Sequence, residues 1–481
     1  MGKNPGGVSG VLAETQGGIM TLSSYLQGLL THFTDARIVR NITTLMQQMV
    51  EHTTIRLWSL ATEKAEFVRH RRLVDGSLRA VLDESLVAEA LREIGSHALT
   101  QAPEDTALLV LVHDPCDIRK PYAAELECLG TVRALDGRLV PGYQTFNTVI
   151  LDEGGHTPPP LDVTVYSNGD PHYVTEEELA HEERLQRTPS ASSPLSTERL
   201  AGIRQYLAEE SWLNLYRVVS AQLTRLARHL QQQAPRRPRC HILDRQFEGE
   251  RYVRLIAREL QDFFVLRLKS SRTVPGLVVA GSVSVQDVPC LHMTGYAIST
   301  IRLHHRTYQN VTCYLEWGPF CLDQHEYTMV RVTLVDRHRR LIFDDPMVLL
   351  TNLPVTGREE ACRVYRLYLL RAKIEGVFRF CKTVLGWEEA QVRDYASMRR
   401  LLALTFYLAG YFYASDSTLI DNPVIALICA LGGGKDAVTR YFFLKGLQCL
   451  LMYRRVLYFQ QEMPHSAPEG VQFEDLLAFL E

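Results

Sequence analysis

The sequence has no long apolar run and no cysteine framework. Its longest apolar stretch, Leu401 to Ala414, is shorter than the roughly 20 residues that a membrane-spanning helix needs, and its tyrosines indicate a buried helix instead. The 10 cysteines form no CxxC pair and no regular spacing, which is typical of a reducing compartment. The N-terminus lacks a basic region followed by an apolar stretch, so no secretory signal is predicted. We therefore expect a cytoplasmic protein that does not enter a membrane.

An excess of basic charge is also missing. The chain has 52 Lys and Arg against 55 Asp and Glu, a formal net charge of −3. A nucleic-acid-binding surface needs clustered lysine and arginine, and such clusters do occur locally. One runs from Arg56 to Arg79 and includes Arg69, Arg71 and Arg72. By itself this cluster favours an ordinary solvated helix face.

With 481 residues, 46% of them hydrophobic, the chain is long enough for two to four domains. The Gly-rich start predicts disorder. Helical and strand-like patterns then alternate along the chain in blocks. The predicted segments are residues 1–19 (disordered), 20–104 (helical), 105–268 (α/β), 269–355 (β-rich), 356–415 (helical, with the site helix) and 416–481 (helical).

Two aspartates follow apolar runs that predict buried strands. The run "ALLVLVHD" ends in Asp114, and "CHIL" delivers Asp244. Open α/β sheets place ligands at the carboxyl ends of their strands, so these two acids are predicted to be partners in one site. Asp117 competes with Asp114 as the first acid of that site. We favour Asp114 because it is expected to end the strand.

A third acid, Glu375, lies in the pattern Tyr368-x2-Arg371-x3-Glu375-x6-Lys382. At about 100° per residue these four positions fall within a sector of roughly 60° on one helix. An apolar stripe that includes Leu367, Ile374, Val377 and Cys381 borders this sector. We expect one helix from about Glu359 to Leu385 with a half-buried polar site. A second long helix is predicted from Thr197 to Gln233, capped by Ser196.

The Y-x2-R-x3-E-x6-K pattern resembles the signature of DDE transposases of the insertion-sequence-4 family. The stretch around Asp244, "HILDRQFEGERYVRLIARELQDFFVLRLK", and the run ending in Asp114 agree with it, in the right order, over roughly residues 105 to 415. The resemblance implies an α/β fold with a ribonuclease H-like mixed sheet that carries a β-rich insertion. An all-helical N-terminal domain and a helical C-terminal region would flank it.

The resemblance also implies roles for the site residues. Asp114, Asp244 and Glu375 would be catalytic and would hold two Mg²⁺ ions, with Mn²⁺ able to substitute. Tyr368, Arg371 and Lys382 would bind DNA. In the β-rich segment, Trp317 is our candidate to stack on a flipped base, although a tryptophan in a β region is more often a core residue.

For the N-terminal helices the resemblance implies a helix-turn-helix-like unit that binds DNA through Arg69, Arg71 and Arg72. Three short helices that only pack together are the alternative. The whole protein is then expected to be a transposase, a nuclease and strand transferase that acts on double-stranded DNA, both transposon ends and target. It would work as a nucleoid-associated homodimer, with the C-terminal helices as candidate contacts and no small-molecule substrate.

Two alternatives stay open on the sequence alone. A metal-dependent nuclease with the same fold would cleave DNA without strand transfer. A domesticated, catalytically silent protein would bind DNA without cutting it.

Overall fold

A computed structural model describes residues 21–75, 82–100, 108–155, 159–188, 193–275, 282–303, 306–414, 422–434 and 437–466. The predicted disordered segment 1–19 and Arg79 lie outside these ranges. The chain divides into two compact units. Unit 1 comprises Met1–Ala90 and Phe380–Glu481, and unit 2 comprises Leu91–Arg379. The boundaries of the six predicted segments stay predictions.

Helices make up the described part of unit 1 and accompany the strands of unit 2. In chain order they are α1 (Leu22–Leu30), α2 (Ala36–His52), α3 (Leu57–Leu60), α4 (Lys64–Val74), α5 (Glu84–Thr100), α6 (Glu176–Arg187), α7 (Thr197–Ala208), α8 (Leu215–Gln233), α9 (Glu250–Arg254), α10 (Arg358–Leu369), α11 (Ala372–Thr383), α12 (Tyr395–Ala414), α13 (Pro423–Leu431) and α14 (Arg440–Ser466).

The core of unit 1 forms around α12, whose residues from Leu401 to Tyr413 are all buried, as predicted for this apolar run. Two tyrosines fix α1 against α12. The hydroxyl of Tyr25 donates to the carbonyl of Tyr407 at 2.6 Å, and the hydroxyl of Tyr407 donates to the carbonyl of Tyr25 at 2.9 Å. Burial raises the pKa of Tyr25 well above its usual value, so its hydroxyl stays a donor. Among the described helices, none combines the length and apolarity required to cross a membrane.

A buried carboxylate organises α2, α3 and α4. Glu66 accepts hydrogen bonds from the backbone N–H of Thr62 at 2.6 Å, from the Thr62 hydroxyl at 2.7 Å and from the side-chain amide of Gln48 at 2.8 Å. These bonds tie the turn before α4 to the middle of α2. Because a buried acceptor without donors would be costly, Glu66 fixes α4 and the turn before it against α2.

Unit 2 contains a ten-stranded mixed sheet. Its strands are β1 (Leu109–Arg119), β2 (Gly130–Arg133), β3 (Leu139–Leu151), β4 (Pro160–Tyr166), β5 (Arg239–Leu243), β6 (Phe263–Leu268), β9 (His292–Leu303), β10 (Arg306–Leu322), β11 (His325–Val335) and β12 (Met347–Thr351); β7 (Thr273–Pro275) and β8 (Ser282–Ser284) form a separate pair. The order is β2-β3-β1-β5-β6-β12-β11-β10-β9, with β4 also paired to β3. The pairs β1–β5 and β5–β6 are parallel and the other pairs are antiparallel. The chain is thus a mixed α/β protein.

The β-rich segment continues this sheet. Strand β12 pairs with β6, with Val348 opposite Leu268, and β11, β10 and β9 follow outward. Alternating buried residues of β10, such as Val311, Cys313 and Leu315, form one covered face, as the period of two along a strand requires. The segment is therefore an extension of the central sheet at its β6 side.

Two predicted single helices are wrong, because each is broken in the structure. The span from Thr197 to Gln233 forms α7 and α8, separated at Glu210, which has a positive φ of 53°. Asn214 then caps α8 by accepting from the backbone N–H of Arg217. The predicted Ser196 cap of α7 is confirmed. The span from Glu359 to Leu385 forms α10 and α11, and its break lies at Arg371.

Candidate functional site

Asp114 and Asp244 lie at the same edge of the sheet. Strands β1 and β5 are parallel and pair from Leu109 with Arg239 to Val112 with Ile242, so both aspartates follow the last paired residues. One part of the prediction is wrong: Asp114 does not end its strand, because β1 continues to Arg119 against β3. Asp114 lies instead where β1 separates from β5. That divergence opens the space expected at the carboxyl edge of parallel strands.

Asp117 lies on the opposite face of the sheet from Asp114. Side chains alternate along a strand, so residues three apart point to different sides. Asp117 accepts the backbone N–H of Arg133 at 3.1 Å and thereby joins β1 to β2. The preference for Asp114 as the site acid stays a prediction. The reason for it is now the face of the strand on which Asp114 lies, not the end of the strand.

A buried chain of polar side chains joins β1 to β5 directly beneath the two aspartates. The rings of His113 and His241 are joined by a hydrogen bond of 2.9 Å, and Nε2 of His241 lies 3.0 Å from Asp262. His113 also lies 2.8 Å from the Thr148 hydroxyl. Burial lowers the pKa of His113 well below its usual value, with the His241 charge as a second cause, so His113 is neutral. These bonds hold the two strands in register.

The sequence analysis did not predict this series of hydrogen-bonded side chains. The sequence does contain a sign of it, because His113 and His241 each lie within an otherwise apolar strand run. A histidine in such a run must find a hydrogen-bond partner when it is buried. The pairing partner of each could not be read from the sequence, since it depends on the register of β1 and β5.

Tyr368, near the end of α10, contacts Asp244. Its hydroxyl donates to Asp244 Oδ1 at 3.0 Å, and its side chain is almost entirely buried. Burial, followed by the negative charge of Asp244, raises the pKa of Tyr368 to about 12. The phenol therefore remains protonated at neutral pH and holds the carboxylate of Asp244 in one orientation.

Arg371 joins the other two acids. Its Nη1 donates to Asp114 Oδ2 at 3.0 Å and its Nη2 donates to Glu375 Oε1 at 2.6 Å. Burial alone would lower the pKa of Arg371, but the charges of Asp114 and Asp244 outweigh it and the net shift is upward. The guanidinium is thus a permanent positive charge held among three carboxylates.

The break between α10 and α11 places Arg371 in this position. The backbone N–H groups of Leu370 and Arg371 bond to carbonyls three residues back, at 3.1 and 3.0 Å, instead of four. This tight turn changes the direction in which the Arg371 side chain projects. Glu375 then falls in the first turn of α11, where the helix dipole favours a carboxylate. Its side chain is 51% exposed, so the site opens to solvent on this side.

The pKa of Asp114 is strongly perturbed. Burial raises its pKa to about 7. The neighbouring Arg371 opposes this rise, whereas the charges of Asp244 and Glu375 add to it. Asp114 is therefore expected to gain and lose its proton near neutral pH rather than in the range of an ordinary aspartate. A strongly perturbed acid at a strand edge is typical of a functional site.

The donor chemistry of the site suits a hard cation, because all three acids offer carboxylate oxygens. The spacing of the three carboxylates, however, does not form a metal site. Within the described ranges, no three His, Cys, Asp or Glu side chains are grouped closely enough to hold one metal ion. Arg371 lies between Asp114 and Glu375, so a guanidinium supplies the positive charge in this arrangement.

A further arginine belongs to this edge and was missed. Arg267 on β6 is level with Asp244 and on the same face of the sheet, because Leu243 pairs with Leu266 in a parallel ladder. Its charge acts on Tyr368, whose pKa it lowers against the larger effects of burial and Asp244. The sequence signal was a lone basic residue in the apolar run "FFVLRLK".

The other predicted site residues have different surroundings. Lys382 lies in unit 1, where its ammonium is 3.3 Å from Glu388 Oε1. Trp317 on β10 is 6% exposed and stacks on His292 with ring centres 5.4 Å apart. No base could stack on Trp317 without first uncovering it, so its proposed role stays a prediction.

The predicted DNA-binding arginines lie on α4 in unit 1. Arg69, Arg71 and Arg72 are all exposed. Arg69 is 3.4 Å from Glu63 in an exposed ion pair that contributes little stability, so Arg69 can exchange this partner for another anion at low cost. Arg71 is 3.3 Å from the buried carboxylate of Asp75.

Neither a protein-family model nor a curated protein matches this chain.

Proposed function

We propose that this protein is a DNA transposase of the DDE type. It would bind the inverted ends of a transposon and catalyse metal-dependent cleavage and strand transfer, in a cut-and-paste reaction through a hairpin. One observation carries the proposal: residues far apart in sequence, Asp114, Asp244 and the Tyr368–Glu375 segment, meet at one edge of a sheet.

The strand order supports a ribonuclease H-like core for this proposal. Strands β4, β3 and β1 form an antiparallel group, and β5 and β6 follow beside β1 in parallel. This is the arrangement that the resemblance to the insertion-sequence-4 family leads us to expect. Strands β9 to β12 would be the β-rich insertion of that family.

The chain's own residues would prepare the reaction. Tyr368 orients the carboxylate of Asp244, and the hydrogen-bonded His113–His241 pair keeps β1 and β5 aligned. When bound, Mg²⁺ or Mn²⁺ supplies Lewis acidity that activates the attacking oxygen and stabilises the leaving one. Asp114, Asp244 and Glu375 would hold that metal. Asp114 must first lose the proton that its raised pKa, about 7, allows it to carry near neutral pH.

Arg371 would change partners during this preparation. Its planar guanidinium suits a phosphate as well as it suits two carboxylates. A scissile phosphate can therefore draw Arg371 away from Asp114 and Glu375, which leaves both acids available as ligands. Arg267 and Lys382 would add positive charge along the DNA, and Arg69, Arg71 and Arg72 would bind duplex DNA through α4.

The C-terminal helices support the proposed homodimer. Within the described residues, α13 and α14 expose several large apolar side chains, which include Leu427, Leu431, Met452, Tyr453 and Tyr458. Large apolar side chains exposed on two helices are typical of a protein–protein contact. A nucleoid-associated dimer on paired DNA ends would cover it.

A catalytically silent DNA-binding protein is the second candidate. It is favoured by the spacing of the acids, since no three ligating side chains of the described residues are grouped for one metal ion. In that case Arg371 would be a permanent structural counter-ion. The two candidates differ in whether DNA and metal together produce cleavage.

The deciding experiment uses duplexes that carry the inverted repeats flanking the gene, with Mg²⁺ and the full-length protein. We expect hairpin and joined products from the native protein. Asp114→Ala, Asp244→Ala and Glu375→Ala should each abolish the chemistry and retain DNA binding, whereas the matched control Asp117→Asn should remain active. Simple cuts would indicate a nuclease, and binding without any cut would indicate the silent protein. Full activity in any of the three alanine variants would remove that residue from the site.

A further inference from the structure

The connection between β11 and β12 begins with a strongly basic hairpin tip, residues 336–340, with the sequence Asp-Arg-His-Arg-Arg. The four basic side chains of this tip, Arg337, His338, Arg339 and Arg340, are all exposed. Three permanent positive charges thus occupy four consecutive positions. Nothing in the site described above uses them.

The tip has a defined conformation. Asp336 Oδ1 accepts the backbone N–H groups of His338 at 2.8 Å and of Arg340 at 2.9 Å. Backbone bonds of 2.9 Å also join Asp336 to Arg340 and Arg339 to Asp336. Arg339 adopts a positive φ of 64°, which closes the turn. The arginines are therefore presented from a fixed backbone, so ordering them on a ligand costs only side-chain entropy.

The charge of the tip is not neutralised by ion pairs. Within the part of the chain that the structure describes, no carboxylate lies within 4.0 Å of the guanidinium of Arg337, Arg339 or Arg340. The carboxylate of Asp336 accepts hydrogen bonds from the backbone of its own turn. Asp345, further along the connection, accepts from the hydroxyl of Ser270 at 3.1 Å. Arg337 Nε donates to Nε2 of the neighbouring His338 at 3.0 Å, a contact that neutralises no charge. A cluster of arginines without a carboxylate partner on a fixed turn can bind an external polyanion.

The sheet topology places this tip at the edge that carries the site. The strand registers relate Asp244 to β11 in three steps. Arg267 of β6 is level with Asp244, and Leu349 of β12 lies opposite Arg267. Val330 of β11 lies opposite Leu349. Strand β11 continues from Val330 to Val335 beyond that level, by about 17 Å at the usual rise per residue. Its distance across the sheet from β5 is about 14 Å, three strand spacings. The tip therefore begins roughly 20 Å from Asp244, on the same side.

We propose that the 336–340 tip binds the phosphate backbone of duplex DNA whose scissile phosphate lies at Asp114 and Asp244. A separation of roughly 20 Å corresponds to about six phosphates along one strand. The tip would therefore contact the duplex about half a helical turn from the cleavage point. This inference rests on the proposed function, because it takes DNA as the substrate of the same sheet edge.

The test measures how DNA affinity depends on salt. The tip variant is Arg337→Gln, Arg339→Asn, Arg340→Gln, in which asparagine keeps the left-handed backbone at position 339. The matched control is Arg184→Gln, Arg187→Gln, Arg236→Gln, which removes the same charge from exposed positions of unit 2. Arg236 precedes β5 and so lies toward the opposite edge of the sheet. Both variants lower the net charge equally, so a difference between them reports local contacts.

Each phosphate contact contributes about 0.9 to the slope of log affinity against log salt. We expect the tip variant to lose about 2 to 3 from that slope, and the control to lose less than about 1. A duplex that ends about three base pairs from the cleavage point should bind the native protein and the tip variant alike, since it cannot reach the tip.

The outcomes separate this inference from the proposed function. Equal slopes for the tip variant and the control would overturn the inference, even if the native protein cleaves DNA. A slope loss confined to the tip variant would support it, even if no cleavage occurs and the catalytic proposal fails. Native protein that binds no duplex at all would overturn both.

Discussion

The pKa of Asp114 predicts that metal binding depends on pH in a range where an ordinary aspartate would give no dependence. Burial raises that pKa to about 7. The carboxyl is then ionised in about 9% of molecules at pH 6 and in about 91% at pH 8. Because a carboxylate must be deprotonated to bind a cation, the apparent Kd for Mn²⁺ should be about tenfold weaker at pH 6 than at pH 8.

Isothermal titration calorimetry with Mn²⁺ and no DNA measures this effect. At pH 7, binding should release about half a proton from Asp114, which appears as a dependence of the heat on buffer ionisation. Asp114→Asn has nearly the same shape but no titrating proton, so any remaining binding should lose both signatures.

A change in Kd of less than twofold between pH 6 and pH 8 would refute the reasoning. It would mean that Asp114 is already ionised at pH 6, as its ordinary pKa of 3.8 would require. Asp114 would then be more hydrated than its position beneath Arg371 indicates.

Three further predictions concern other residues of the described structure. Arg371→Gln removes the cation 3.0 Å from Asp114, so the midpoint of proton release should move upward by roughly one to two pH units in the same calorimetric assay; an unchanged midpoint would contradict the ion pair. Tyr368→Phe leaves a half-buried carboxylate oxygen of Asp244 without its donor and should lower the free energy of unfolding by about 1 kcal/mol in urea, with slower cleavage at saturating DNA and unchanged DNA affinity. Glu66→Ala leaves the buried side-chain amide of Gln48, and the N–H and hydroxyl of Thr62, without their acceptor and should destabilise unit 1 by about 1 to 3 kcal/mol in thermal unfolding at pH 7. Burial opposes the hydrogen bonds of Glu66, but the net shift lowers its pKa, so this stabilisation is present above the usual glutamate pKa and should fade as the pH falls through the lowered value.

Much of the strand content of unit 2 could be predicted from the sequence. Apolar or alternating runs marked β1, β5, β6, β10 and β11, because a strand buried on one or both faces leaves a period of two or a continuous apolar pattern. The patterns did not show that β12 pairs with β6. That pairing is a contact between distant segments, and only the packed chain decides it.

The site was predicted only in part for a similar reason. The apolar stripe of Ile374 and Val377 is buried as expected, but a periodic pattern does not reveal a break at Arg371. The break becomes favourable through a charge interaction with Asp114, 257 residues away in sequence. Asp114 was selected for a wrong reason, its expected strand end, whereas the face of the strand is the sounder criterion.

The junction between β6 and β12 limits how this protein can be shortened. Removal of residues 269–355 would strip the neighbour from one side of β6 and leave its N–H and C=O groups unpaired. Such a bare edge invites pairing with other chains, so a truncated protein is expected to aggregate. Any shortened version of unit 2 must keep β12. Residues 269–355 are therefore part of the structural framework of unit 2 and cannot be removed or replaced as an independent insert.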